Sequence, residues 1–163
     1  MPKADLDKTD IGILAALQKN GRLSNVELAE TVALSPSPCL RRLKLLEDNG
    51  IIQGYVARLS PQALGLDIHA FVRLQVDRHR PEAVQALLDA VASWPEVTGC
   101  FSLAGDTECL LDIRASDMAH YARFVQEQLL AQPAVLSARS SFVLRTWKDS
   151  TELPLDALSA SGD

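Results

Sequence analysis

The sequence lacks several features that would place it in a well-known class of protein. It has no run of about 18 apolar residues, and its start, MPKADLDKTD, is not a signal peptide, so we expect a cytoplasmic protein with no membrane span. Its three cysteines have no C-x-x-C spacing and its three histidines are scattered, so we expect no disulfide framework, metal site or cofactor. These residues are Cys39, Cys100, Cys109, His69, His79 and His120.

Positive charge is also scarce, because the formal net charge is −5 at pH 7. Residues 1–60 nevertheless hold eight Lys or Arg against seven Asp or Glu, a balance of +1, whereas residues 61–163 hold eight against fourteen, a balance of −6. Any contact with nucleic acid is therefore expected in the first third of the chain. So few cations predict weak binding by one copy, and hence several copies acting on one DNA.

Apolar residues make up 47% of the 163 residues, which is enough to bury the core of one large domain or two small ones. The segment SPQALG at residues 60–65 carries the proline and glycine that are typical of a domain boundary. We predict a first domain over residues 1–60, a linker over 61–65, a second domain over 66–150 and a tail over 151–163.

The first domain has the pattern of a winged helix-turn-helix. A helix that begins near Asp7 is followed by a short helix over residues 25–32, which Ser24 and Glu27 can start with a capping box. A corner at residues 33–35 leads to a helix with Ser35 as N-cap and Pro36 at its first position, ending at residues 49–50. Leu40, Leu43 and Leu46 are expected to point inward, and residues 51–59 are expected to form the strand of the wing.

A helix that opens with small hydroxyl residues and carries two arginines one turn later suits the major groove of DNA. Its hydroxyls and N-terminus can meet phosphates or base edges, and the guanidinium groups of Arg41 and Arg42 can reach phosphate or guanine. An ordinary helical hairpin with solvated charges is the alternative, but the capped corner, the two prolines and the hydrophobic wing favour DNA binding. Arg22 is equally well explained as a phosphate contact or as an exposed structural arginine.

The second domain alternates strands and helices in the order βαββαβ. Strands are expected over residues 68–76, 97–103, 108–113 and 135–147, with helices over 81–93 and 117–130. This order predicts a ferredoxin-like fold, in which two helices cover one face of an antiparallel sheet. The chain is thus of the α+β class. The other sheet face has no helical cover, so we expect another copy to cover it in a homodimer.

The chain resembles the leucine-responsive regulator/asparagine regulator (Lrp/AsnC) family of transcription factors over nearly its whole length. The resemblance is most specific at LDKTDIGILAALQKNGRLSNVELAETVALSPSPCLRRLKLLEDNGIIQGYVARL, and it extends to GDTECLLDI, DMAHYARFV and WKDSTELPL. It implies an oligomeric, sequence-specific regulator that binds double-stranded DNA. Its dimers would assemble further into tetramers, octamers or larger forms, and it would respond to an amino acid or a related small molecule.

The resemblance also implies which residues bind each partner. The helix over residues 35–49 would be the recognition helix, and an effector pocket between dimers would lie at the turn joining the second and third strands, faced by the last strand. The DNA-binding candidates are Arg22, Ser24, Asn25, Ser35, Pro36, Ser37, Cys39, Arg41, Arg42, Lys44 and Gln53. The effector-binding candidates are Ala104, Gly105, Asp106, Thr107, Glu108, Arg139 and Ser140.

The turn at residues 104–108 can serve a ligand in two ways. Gly105 suits a backbone that approaches a ligand closely, and Asp106 or Glu108 could accept hydrogen bonds from an α-ammonium group. Many relatives have an Asp-aromatic pair where this chain has Glu108-Cys109, so the ligand is not identified by the resemblance. A tight turn with solvated acidic residues is the alternative.

Two other functions were weighed. Some tetrapyrrole decarboxylases share this two-domain plan, but no haem-ligating or acid–base cluster stands out around the isolated histidines, so we expect no enzyme. An amino-acid sensor with a vestigial first domain is disfavoured, because Arg41, Arg42 and Lys44 are all present.

Overall fold

A computed structural model describes residues 6–104 and 109–155, which fall into two compact units. The first unit runs from the N-terminus to Arg58 and resumes at Lys148, and the second spans Leu59–Trp147. Within the described ranges, no helix combines the length and the hydropathy needed to cross a bilayer.

The first unit is built on three helices around one small core, as the sequence predicts. They are α1 (Lys8–Lys19), α2 (Asn25–Thr31) and α3 (Pro36–Asp48). Each helix buries side chains in this core, among them Ile13 of α1, Leu28 of α2 and Leu46 of α3. Isolated helices of seven to thirteen residues are marginal in water, so this shared apolar burial stabilises them.

Side-chain caps determine where the first two helices begin. Asp7 accepts hydrogen bonds from the backbone N–H groups of Thr9 and Asp10, each at 2.9 Å. The predicted capping box of α2 is confirmed: Glu27 Oε2 accepts from the Ser24 N–H at 2.7 Å, and Ser24 Oγ accepts from the Glu27 N–H at 3.3 Å. Donors that a helix leaves unpaired at its N-terminus are thereby satisfied.

The corner between α2 and α3 contains a left-handed residue. Ala33 has a φ of 55°, a conformation that is more usual for glycine, and the Leu34 N–H then reaches back to the Ala29 carbonyl at 2.9 Å. The Leu34 side chain packs against the core between the helices, as the sequence predicts.

The predicted wing strand over residues 51–59 is wrong for the single chain, because no strand forms there. Ile51 and Ile52 instead return their N–H groups to the Leu46 carbonyl at 2.9 and 3.1 Å, and their side chains pack on the core. A strand requires a neighbour for its backbone groups, and the described part of the first unit contains no other strand.

The segment after Trp147 packs against the first unit. Leu153 exchanges two hydrogen bonds with the Gln18 side chain, donating its N–H to Oε1 at 2.6 Å and accepting from Nε2 at 3.2 Å. Arg58 pairs with the Asp149 carboxylate at 2.6 Å.

The second unit is a four-stranded antiparallel sheet with helices on one face, as expected for the ferredoxin-like fold. Its strands are β1 (Ile68–Val76), β2 (Val97–Ser102), β3 (Cys109–Ala115) and β4 (Val135–Phe142), in the order β2-β3-β1-β4. The helices are α4 (Pro81–Ser93) and α5 (Met118–Phe124), and α5 continues into a π-helical turn over Val125–Leu129. The core between this face and the helices contains Val72 and Leu111 from the sheet. It also contains Leu87 from α4 and Phe124 from α5.

The last strand is shorter than predicted. It ends at Phe142, which pairs with Ala70, and only the Val143 N–H continues the ladder, to the His69 carbonyl at 2.9 Å. The prediction for residues 143–147 is wrong, because β1 extends only two residues past Ala70, to His69 and Ile68, and leaves nothing for residues 145–147 to pair with.

The second sheet face carries an apolar cluster, which we call the open-face cluster: Phe71, Phe101 and Leu110. Alternation along β3 places Leu110 and Asp112 opposite the buried Cys109, Leu111 and Ile113, and pairing brings Phe71 and Phe101 to that same face. Phe101 is 51% exposed. A Cβ atom at Gly99 would lie 2.8 Å from the Phe101 ring, so a larger residue at this position would force the ring to move.

Candidate nucleic-acid interface and effector turn

The solvent-facing side of α3 carries a continuous polar stripe, which we call the reading stripe: Ser37, Arg41, Lys44 and Asp48. These residues recur at intervals of four, three and four, which keeps them on one side of a helix, and all four are exposed. Leu40, at 40% exposure, lies beside the stripe. The stripe therefore offers a hydroxyl, a guanidinium and an ammonium in line, with an aliphatic side chain at its edge.

The inward face of α3 differs by one residue from the prediction. Cys39 is fully buried, and it packs with Leu46 and the half-buried Leu43, whereas Leu40 is exposed. Its burial contradicts the place of Cys39 among the DNA-facing candidates, since a side chain inside the core cannot touch DNA. The same desolvation raises the pKa of the Cys39 thiol. Leu40 is a surface residue that the sequence reasoning missed.

Arg42 is engaged within the protein, so its assignment to DNA competes with an ion pair in the same chain. Its Nη1 atom lies 2.7 Å from Asp7 Oδ2 and 2.8 Å from Asp10 Oδ1, so it connects α3 to the start of α1. These hydrogen bonds to Asp10 and Asp7 raise the pKa of the Arg42 guanidinium. The backbone N–H of Asp10, together with Arg42, holds the pKa of Asp7 below its ordinary value.

The start of α3 is arranged by prolines rather than by a side-chain cap. Ser35 stands at the N-cap with φ −77° and ψ 155°, but its hydroxyl makes no capping hydrogen bond. Pro36 and Pro38 occupy the first and third helical positions, and neither has an N–H to donate. Ser37 is therefore the first residue of α3 that can offer a backbone donor to a ligand.

Asn25 positions this helix start. Its Nδ2 atom donates to the Pro36 carbonyl at 2.8 Å, while its Oδ1 atom is buried and has no hydrogen-bond partner among the described residues. Ser24 is similarly occupied by the capping box of α2. Both candidates thus have structural roles. The other DNA-binding candidates, all of them exposed, are Arg22, Ser35, Pro36, Ser37, Arg41, Lys44 and Gln53.

The effector candidates are only partly described. Ala104 is the last described residue before the turn, and Gly105, Asp106, Thr107 and Glu108 lie outside the described residues. The turn joins β2 to β3, whereas β4 is at the other edge of the sheet, with β1 between β3 and β4.

Arg139 and Ser140 point to opposite faces of the sheet. Arg139 pairs with Arg73 on the open face, whereas Ser140 pairs with the buried Val72. On the helix-covered face, the Tyr121 hydroxyl donates to Ser140 Oγ at 2.5 Å. Within one chain, the structure therefore does not bring Arg139 and Ser140 together on one face of the sheet, and their place in a pocket between dimers stays a prediction.

Comparison with known proteins agrees with the division of the chain into two units. Residues 6–53 match the family model for winged helix-turn-helix DNA-binding domains, and residues 69–153 match the model for the Lrp/AsnC ligand binding domain. The leucine-responsive regulatory proteins of Klebsiella pneumoniae and Escherichia coli K12 are each 41% identical over 152 residues, which is 93% of this chain and 93% of theirs.

Solved structures show the same relationship. The transcriptional regulator NMB0573 of Neisseria meningitidis, solved as an L-Met complex, is 51% identical with a TM-score of 0.91, over 94% of this chain and 99% of that one. An AsnC family regulator of Agrobacterium tumefaciens is 32% identical with a TM-score of 0.88, over the same shares of the two chains. The chain therefore belongs to the Lrp/AsnC family and is a DNA-binding transcriptional regulator rather than an enzyme.

Proposed function

We propose that the reading stripe of α3 is the surface with which this regulator recognises double-stranded DNA. The observation that carries the proposal is the outward alignment of Ser37, Arg41 and Lys44 on a helix whose opposite side is buried in the core. A helix fits the major groove of B-DNA, where base edges present a distinct pattern of donors and acceptors for each base pair.

The residues of the stripe suit different parts of the DNA. Arg41 can donate two hydrogen bonds to guanine, and Lys44 provides a point charge for a phosphate. The half-exposed Leu40 can make apolar contact with a thymine methyl group. The remaining exposed candidates are proposed to position the protein on the sugar–phosphate backbone: Arg22, Ser35, Pro36 and Gln53.

Assembly of several copies supplies what one weakly cationic headpiece lacks. The open-face cluster of Phe71, Phe101 and Leu110 is apolar and lies on the sheet face that the helices of this chain leave uncovered. We propose that a second copy covers it in a homodimer, and that dimers associate into larger forms. Two recognition helices on one DNA then raise the effective affinity without any new kind of contact.

An amino acid is the proposed effector, and L-Met is the first candidate because the similar Neisseria regulator was solved with it. We place its site between dimers at the turn that follows Ala104, with Gly105, Asp106 and Glu108 as contacts. Binding there would shift DNA affinity by changing how dimers associate. The cytoplasm, where bacterial DNA is found, is the proposed location.

The DNA-reading role can be tested with sites selected from a random DNA library by the wild-type protein. We expect Arg41→Ala and Lys44→Ala each to weaken binding in an anisotropy titration and to reduce the salt slope by about one per headpiece. Arg123→Ala removes the same charge from an exposed position on α5 and serves as the control. Unchanged affinity and salt slope in both α3 variants would contradict the assignment.

A further inference from the structure

Two cysteines lie next to each other on the hairpin that carries the proposed effector turn. Cys100 Sγ on β2 is 3.4 Å from Cys109 Sγ on β3, and both thiols are free. Their pairing is diagonal, since Cys100 lies opposite Leu111 and Cys109 lies opposite Ser102. Both side chains lie on the same face of the sheet as the buried Leu111, so the backbone of the sheet does not separate the two sulfur atoms.

The two thiols differ in accessibility. Cys100 is exposed at the sheet edge, whereas Cys109 is 8% exposed and belongs to the core of the second unit. Burial, with a smaller effect from Cys100, raises the pKa of Cys109 to about 12, so this sulfur is protonated near neutral pH. A dissolved oxidant therefore meets Cys100 first, with a second thiol already beside it.

We propose that Cys100 and Cys109 form a reversible oxidation site, in which a hydroperoxide converts the thiol pair into an intrachain disulfide across β2 and β3. In the first step the Cys100 thiol ionises and its thiolate attacks the peroxide. The O–O bond breaks, a sulfenic acid forms, and the leaving oxygen takes up the proton released by the thiol to give an alcohol (water, from hydrogen peroxide). In the second step the Cys109 sulfur displaces the hydroxyl of the sulfenic acid, which leaves as water with the thiol proton. Two electrons thereby pass from the thiol pair to the peroxide.

The geometry predicts a labile bond rather than a permanent one. A disulfide has an S–S length of about 2.05 Å, so the sulfur atoms must approach each other by about 1.4 Å from their separation of 3.4 Å. Diagonal residues of an antiparallel pair have Cα atoms about 7–8 Å apart, which exceeds the usual range for disulfides. The backbone must therefore adjust, and disulfides strained in this way are readily reduced.

Cys109 is the first residue of β3. The backbone adjustment that the disulfide requires therefore falls where the connection from β2 enters β3. Oxidation would close a ring that runs from Cys100 to Cys109 and reduce the conformational freedom of the chain within it. An effect of the ring on effector binding rests on the proposed effector site. Formation of the disulfide does not depend on that site.

The chemistry can be tested on the full-length protein by intact-mass spectrometry after treatment with a small excess of hydrogen peroxide. We expect a loss of about 2 Da, one linked peptide pair containing Cys100 and Cys109, and full recovery with dithiothreitol. Cys39→Ala should behave like the wild type. Cys100→Ser, at an exposed position, should keep the fold and lose the response. Sulfinic acid or an intermolecular disulfide as the main product would overturn the proposal.

Hydrogen exchange tests the effect on the turn without any ligand. Amides between Ser102 and Cys109 should exchange more slowly in the oxidised protein than in the reduced protein, and Cys100→Ser should show no difference. Equal exchange in both states would refute the restriction of the turn. A separate titration with L-Met bears on the proposed effector alone, so its failure is distinguishable from failure of the oxidation site.

Discussion

Arg42 bridges Asp7 and Asp10, so its contribution is to the stability of the first unit rather than to DNA recognition. We predict that Arg42→Ala lowers the melting temperature, because both carboxylates lose their cationic partner. The salt slope of DNA binding should change little. Arg41→Ala is the matched control from the next position, and it should show the reverse pattern. Calorimetry and anisotropy titrations measure the two effects. A salt slope that falls equally in both variants would show that Arg42 also contacts phosphate.

Cys39 provides a second residue-scale prediction. Removing its buried sulfur in Cys39→Ala should lower the free energy of unfolding by about 1 kcal/mol. Cys39→Ser should be the less stable variant, because a buried hydroxyl without a partner costs about 1–3 kcal/mol. Denaturant titrations measure both changes. Each variant, while folded, should retain the DNA affinity of the wild type at a fixed salt concentration, and clearly weaker binding would restore Cys39 as a DNA contact.

The errors at this scale have physical causes. Helical spacing relates Leu43 and Leu46 to Leu40, but it relates them equally well to Cys39. Both cysteine and leucine are apolar, so either residue could be the buried one. Periodicity alone cannot choose between two adjacent phases. The partners of Arg42 lie 32 and 35 positions away, so no local pattern reveals that this charge is already paired.

At the scale of elements, two serines stand at the N-caps of different helices, and only one of them makes a capping hydrogen bond. Ser24 caps α2, whereas Ser35 makes no capping hydrogen bond at α3. We expect Ser24→Ala to reduce the free energy of unfolding by about 1 kcal/mol and Ser35→Ala to change it by less than about 0.5 kcal/mol. Urea titrations of the two variants provide the measurement. Equal destabilisation would mean that the Ser35 hydroxyl also contributes a cap.

The capping carboxylates also predict how stability depends on pH. The backbone N–H of Asp10 lowers the pKa of Asp7, and that of His120 lowers the pKa of Asp117, both from an ordinary value of 3.8. The unfolded chain therefore binds more protons than the folded chain as the pH falls through this region, so acid favours unfolding. We expect the urea midpoint to be constant above about pH 5 and to decrease toward about pH 3. Asp7→Asn should decrease less steeply over this range, and an equally steep decrease would remove Asp7 from the explanation.

Helices and most strands could be predicted because their limits are written locally. Ser24 with Glu27, Asp117 before α5 and Pro81 at the start of α4 all act within one helical turn. The strand predicted over residues 51–59 and the extension of β4 past Phe142 failed for the opposite reason. Extended, apolar sequence shows that a segment suits a strand, but whether a neighbour lies beside it depends on the tertiary fold.

For the whole molecule, the uncovered sheet face makes assembly testable. Phe101→Glu places a charge within the open-face cluster, so we expect its dimer to dissociate at least tenfold more readily than that of the wild type, a change of about 1.4 kcal/mol. Gln126→Glu adds the same charge at an exposed position beyond α5 and is the control. Sedimentation equilibrium reports the dissociation constants. If both variants dimerise like the wild type, copies associate through another surface.

If α3 reads DNA as proposed, its two prolines should affect the rate of binding as well as its strength. Each proline fixes its own φ near −65°, and Pro36 also biases Ser35 toward the extended conformation that it has at the N-cap, so the start of α3 has few alternatives even in the unfolded chain. The end of the helix that we propose enters the groove is therefore ordered before any DNA arrives, and little conformational entropy remains to be lost on contact. Association should then approach the rate that electrostatic attraction allows, and differences among DNA sites should be expressed mainly in how long the protein stays bound.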